Sequence, residues 1–265
     1  HAPKASIKTG TAPKPAIQNS LASPSILAWL FHQKIEMRLP FHRQEKEWDR
    51  YGLSTSRRTL ANWFIKAAQD WLHPLCERMR QHLVNEEVVH ADETVYQILN
   101  RSDKRPATSE SRIWLFRNSQ YADHPIVLYH SSLTRQRQVA LDFLQGFSGF
   151  LHCDGYSAYQ NIPGIVVSAC WAHLRRKFIE AGDEYGHSAK GVDYCNQLFA
   201  LERELKQLPN AELLDIRRKK AKPIVESFWR WVDSFHAMKG NLSKAIQYAL
   251  KLKEPLERFL TDGRL

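Results

Sequence analysis

The spacing of apolar residues changes period at Val88. Upstream, PSILAWLFHQKIEM (24–37) and the run from Arg43 to Leu83 place apolar residues three and four apart, the interval of a helix face. From EVVHADETVYQIL (87–99) onward the apolar runs become short, β-branched or aromatic, and bounded by turn residues. RIWLFRNS (112–119), PIVLYHSS (125–132), GFLHCDGYSAYQNI (149–162) and GIVVSAC (164–170) share this texture. TRQRQVALDFLQGF (134–147) and the stretch after Cys170 return to helical spacing. The expected order is β-β-β-α-β-α-β-α, hairpin-like strands followed by alternation, which predicts an α/β fold with a mixed sheet and flanking helices.

Four regions follow. Residues 1–23, rich in Pro, Ala, Lys and Ser, read as a linker or arm, and residues 24–87 as a helical region. Residues 88–183 hold the sheet, and 184–265 are helical and highly charged. The chain opens without a Met, as a piece excised from something longer would.

The charge balance narrows the partners. Lys and Arg number 38 against 28 Asp and Glu, for a net charge of +10 and an isoelectric point near 9.5. A basic surface on a chain with an ordinary charged fraction points to a polyanion, nucleic acid first. Cys76, Cys153, Cys170 and Cys195 are scattered and form no CxxC pair, which argues against a zinc ribbon and a disulfide framework and for reduced thiols. There is no run of about 18 apolar residues, so no membrane partner is expected.

In the helical region a short helix stops near Gly52, and Ser54 or Ser56 caps a longer one. Helix, glycine turn, helix is the helix-turn-helix outline, and it puts Arg57 and Arg58 on the first turn of the second helix, where a recognition helix meets DNA. A plain helical bundle is the rival reading.

Two acids stand out in the strand region. Asp92 interrupts an apolar strand, where a carboxylate is costly to bury unless paired or bound to a metal. Asp154 ends the fourth strand, and Gly155 after it lets the backbone turn. If the first and fourth strands are neighbours, both side chains enter one space, and a divalent cation with oxygen ligands removes their repulsion. Each acid alone also fits a buried Asp that accepts backbone hydrogen bonds.

HADET with CDGYSAY, and then CWAHLRRKF, resembles the transposases of the insertion sequence sixty-six family, and LPFHRQEKEWDRYGLSTSRRTLANW resembles the segment preceding their catalytic core. The likeness runs from about residue 24 onward. It implies a ribonuclease H-like fold, with Asp92 and Asp154 as the first two catalytic acids and as ligands of Mg²⁺ or Mn²⁺, two ions in all. It implies a helical insertion from about 184, before the third acid. That third acid, a Glu in an Asn-Asn-x-x-Glu-Arg type motif, has no match among these 265 residues, and Glu226, Glu254 and Glu257 do not fit it. The implied activity is metal-dependent cleavage and strand transfer at insertion-sequence ends, as a homo-oligomer on paired ends, in the bacterial cytoplasm at the nucleoid. The alternative is an inactive relic that binds DNA or a full-length partner.

Within CWAHLRRKF, His173, Arg175, Arg176 and Lys177 are expected to contact DNA, while Trp171, Leu174 and Phe178 form the helix's buried side. A zinc site from His152, Cys153, Cys170 and His173 is a minor alternative. The RRKKAK run (217–222) reads as a solvated helix face.

Overall fold

The computed structural model describes residues 15–182, 186–205, 208–235 and 240–265. Residues 1–14 of the expected arm lie outside the described residues. The chain divides into two compact units, residues 1–78 and 79–265.

The first unit begins with α1 (Pro24–Phe31), where the Ser23 hydroxyl accepts from the Ile26 N–H at 3.2 Å and Pro24 occupies a position that needs no donor. α2 (Phe41–Arg50) ends before Gly52, whose φ of +78° suits a residue without Cβ. Of the two serines expected to cap the next helix, Ser56 does so, accepting from the Thr59 N–H at 3.1 Å at the start of α3 (Arg57–Ala67). Leu30, Trp48 and Leu60 are buried together, with Trp29 and Trp48 centroids 5.3 Å apart. Helices α2 and α3 thus flank a turn at Gly52. Helix α4 (His73–Leu83) spans the division between the units.

The second unit is built on strands β1 (Val88–Tyr96), β2 (Ser111–Asn118) and β3 (Val127–Ser132), then α5 (Arg137–Phe143), β4 (Gly149–Cys153) and β5 (Ile165–Ala169). The sheet order is β3-β2-β1-β4-β5, with β1 central, antiparallel to β2 and parallel to β4. This is the expected mixed sheet with flanking helices. One face buries Val89, Ala91, Trp114, Phe116 and Leu151 against Ala140 and Phe143 of α5, and the Phe116 and Phe143 rings stack at 3.8 Å. Aromatic pairs of this kind add about 0.5–1.5 kcal/mol beyond their burial.

The order differs from expectation at one place. Between β4 and β5 stands a single 3₁₀ turn, Ser157–Tyr159, instead of a helix. Asn161 in the left-handed region, Pro163 and Gly164 fill that short link and leave no stretch for an α-helix.

After β5 come α6 (Trp171–Ala181), α7 (His187–Leu205), α8 (Asn210–Ile216), α9 (Lys222–Asp233), α10 (Asn241–Lys251) and α11 (Lys253–Glu257). They share a core around Leu174, Phe178, Phe228 and Trp231 that reaches the sheet at Ala169. The RRKKAK run is not a wholly solvated face. Arg217 is buried, pairs with Glu202 at 2.7 Å and donates to the Asp262 carbonyl at 3.1 Å, whereas Arg218, Lys219 and Lys220 are exposed.

Candidate active site

The register of β1 and β4 decides where the acids fall. Val88 faces Phe150, Val89 faces Leu151 and His90 faces His152, a constant offset of 62 residues. Carried two residues past the last paired residues, the same offset would bring Asp92 level with Asp154. Strand side chains alternate, so Asp92 continues the face of His90, whose Nδ1 lies 2.9 Å from His152 Nδ1. A one-residue slip would send the two acids to opposite faces.

Asp92 is not the buried carboxylate expected from the sequence. Its side chain is 51% exposed, while that of Glu93 is 1% exposed. The alternation of β1 carries Glu93, with Val89 and Ala91, toward the face that α5 covers, and turns Asp92 to the other side. Glu93 is held by Arg135, whose Nε donates at 2.7 Å, and by the Tyr159 hydroxyl at 2.9 Å. The Arg135 guanidinium lies 3.7 Å from the centroid of the Tyr156 ring, and the Tyr156 hydroxyl donates to the Arg135 carbonyl. Glu93 and its partners were not among the expected site residues, though the alternation Val89, Ala91, Glu93 was a signal for it.

Asp154 is anchored at its turn. Its Oδ1 accepts from the Tyr156 N–H at 2.8 Å, and the Gly155 N–H donates to the Tyr248 hydroxyl of α10 at 3.0 Å. Gly155 is needed for close approach instead of the expected turn geometry. A Cβ there would lie 2.7 Å from Leu252 Cδ1 and 2.9 Å from Tyr248 Cε2. Burial pushes the Tyr248 phenol up to about 12, so it stays protonated near neutral pH.

His173, expected to contact DNA, stands beside Asp92. Its Nε2 is 3.7 Å from Asp92 Oδ1. The neighbouring Cys170 holds its pKa above the ordinary value, burial opposes this, and the charges of Asp92 and Asp154 add to the rise. Burial pushes the Cys170 thiol up, but hydrogen bonding with His152 and His173 outweighs it and leaves the thiol at about 5. Burial, then the charges of His152 and Arg117, press His90 down to about 3.

Asp92 Oδ1 accepts from the Glu93 N–H at 2.9 Å. Among the described residues, the Oδ2 atoms of Asp92 and Asp154 accept no hydrogen bond, so each acid offers one open oxygen. That donor set fits a hard cation that keeps several water ligands. No group of three or more His, Cys, Asp or Glu side chains forms a metal cluster among the described residues. The four residues of the zinc alternative therefore do not form such a group among the described residues, and Cys153 packs into the sheet core.

The expected basic contacts fall in two places. Arg175, Arg176 and Lys177 lie along α6, with Arg175 Nε donating to Asn196 Oδ1 at 2.7 Å and Lys177 reaching Glu180 at 3.3 Å. Arg57 and Arg58 are exposed on the first turn of α3, in the other unit, and the Arg57 N–H donates to Glu45 Oε1 at 2.7 Å. No helix among the described residues is long and apolar enough to cross a membrane.

A family model described as the transposase IS66 family matches residues 19–265. The uncharacterized protein y4qI of Sinorhizobium fredii is 31% identical over 274 residues, an alignment covering 96% of this chain and 50% of that protein. From the same organism, y4hP is 27% identical over 282 residues, covering 96% and 50%. The chain spans about half the length of these curated relatives.

Proposed function

The chain belongs to the transposase IS66 family, and from that premise we propose that residues 79–265 carry a ribonuclease H-like catalytic region that cuts a phosphodiester at insertion-sequence ends and joins the freed strand to target DNA. The observation that supports this reading is the parallel β1–β4 pairing, which brings the strand of Asp92 beside the strand that Asp154 follows, with one open oxygen on each acid. Asp92 and Asp154 would hold Mg²⁺ or Mn²⁺, two ions in all, which would supply charge neutralisation at the phosphoryl oxygens and a lowered pKa for the attacking water or hydroxyl.

The chain's own residues do the positioning. His173, its pKa raised by the neighbouring Cys170 and by the nearby acids, stands 3.7 Å from Asp92 and orients its carboxylate from one side. Tyr248 fixes the Asp154–Gly155 turn through the Gly155 N–H. Glu93, locked by Arg135 and Tyr159, pins β1 directly beneath Asp92. Arg175, Arg176 and Lys177 on α6 draw the phosphate backbone toward the acids, and Arg57 and Arg58 bind DNA from the helix-turn-helix unit.

The test is cleavage of end-containing DNA by the full-length protein in Mg²⁺ or Mn²⁺. Asp92→Asn and Asp154→Asn are expected to abolish cutting while leaving the melting temperature and DNA affinity close to those of the wild type. Retained cutting in either variant sinks the assignment, and a wild-type protein that binds DNA without cutting it favours a DNA-binding relic.

A further inference from the structure

A groove of about 800 Å³ runs between α6 and α7, outside the acid pair but adjoining it. Ala172 lines it, and the next residue, His173, sits 3.7 Å from Asp92. Arg175 and Arg176 enter it from α6, and Arg203 from α7. Asn196 of α7 fixes Arg175 across the groove at 2.7 Å. Among the described residues, Arg176 and Arg203 have no acidic partner. The one acid in the lining, Asp193, is engaged by Gln197 Nε2 at 2.7 Å. Three arginines against one aspartate leave the lining at 3 − 1 = +2.

The floor is not what a duplex backbone needs. Ile179 is 52% exposed there, and Phe199 is half-buried beside it. A duplex presents phosphates outward and keeps its bases stacked inside, so it gains nothing from an apolar floor. An unpaired strand presents both phosphates and base faces. Cationic walls with an aliphatic and aromatic floor match that combination.

We propose that the α6–α7 groove binds a short unpaired DNA strand leaving the acid pair, with phosphates on Arg175, Arg176 and Arg203 and a base against Phe199 and Ile179. This rests on the strand-cutting reading above and adds to it the path of one strand.

The test measures binding by fluorescence anisotropy, in the absence of divalent metal, across a salt series. The probes are a blunt duplex and the same duplex with a short oligo-dT overhang. Arg203→Ala and Phe199→Leu are made in the full-length protein, with melting curves confirming that both fold. For the overhang probe, Arg203→Ala is expected to reduce the slope of log affinity against log salt by about 0.7, the single-strand value for one phosphate contact. Phe199→Leu is expected to weaken overhang binding by about fivefold or more. Blunt-duplex binding by both variants stays at the wild-type level. Equal effects on the two probes, or none on either, overturn the groove assignment. A wild-type protein that binds the blunt duplex but gains nothing from the overhang overturns the groove alone. One that binds neither probe overturns the transposase reading with it.

Discussion

Tyr159→Phe removes one oxygen from a fully buried ring and leaves the ring's packing in place. The lost interaction is the hydroxyl's bond to Glu93 Oε2 at 2.9 Å, made to a carboxylate whose side chain is 1% exposed. A hydrogen bond to a charged group contributes about 1.5–3 kcal/mol, and no cavity term adds to it here. Glu93 keeps Arg135, so the lower part of that range applies, about 2 kcal/mol. The sheet-bearing unit has 265 − 78 = 187 residues. At that size each kcal/mol moves the melting temperature by about 2–4 °C, so the expected drop is about 4–8 °C. Arg135→Met, whose wild-type side chain is 40% exposed and therefore screened, should cost about 1–3 kcal/mol. The double variant strands a buried carboxylate with neither partner, so its loss should exceed the sum of the single losses. Thermal denaturation by circular dichroism at neutral pH reads all three. A Tyr159→Phe shift below about 1 °C would refute the idea that Glu93 anchors β1 under the acid site.

Other expectations follow from the same geometry. Gly191→Ala would place a Cβ 2.6–2.9 Å from the Phe178 ring between α6 and α7, and should cost about 1–3 kcal/mol, read by urea denaturation. Gly155→Ala crowds Leu252 and Tyr248 and should displace the Asp154 turn, lowering cleavage by more than it lowers stability; cleavage at the wild-type rate would count against that placement. His90 titrates at about 3 in the fold against an ordinary 6.5, so between those values the unfolded chain binds the extra proton. Stability should therefore rise with pH across that window and be lost on acidification through it, and His90→Phe should flatten the slope in pH-dependent denaturation. At pH 6 Cys170 should be alkylated by iodoacetamide ahead of exposed Cys76, with buried Cys153 and Cys195 protected. Mass mapping that finds Cys170 no faster than Cys76 would overturn the thiolate assignment.

Much of this was open to reading along the chain. Short β-branched and aromatic runs bounded by turn residues placed all five strands, and the serine, glycine and proline signals placed α1 to α3, because those signals act within a few residues. Asp92 and Asp154 were legible because an acid in an apolar strand and an acid before Gly at a strand end are local anomalies. Which of the adjacent acids, Asp92 or Glu93, enters the core was not legible, since a one-residue alternation gives two answers until the face covered by α5 is known. The expected order held a helix between the fourth and fifth strands, where the short link with Asn161, Pro163 and Gly164 leaves room only for a 3₁₀ turn.

The sequence by itself determined the elements, the basic balance, the two acids and the family resemblance, because each rests on residue type and short-range spacing. Only the tertiary structure decided that β1 lies beside β4, that His173 stands beside Asp92, that Tyr248 reaches Gly155 and that Arg217 is buried on Glu202. Those pairings join residues from 15 to 93 positions apart, and they are set by strand register and helix packing. Nothing in the identity of either partner specifies the other until the sheet and its helices close around them.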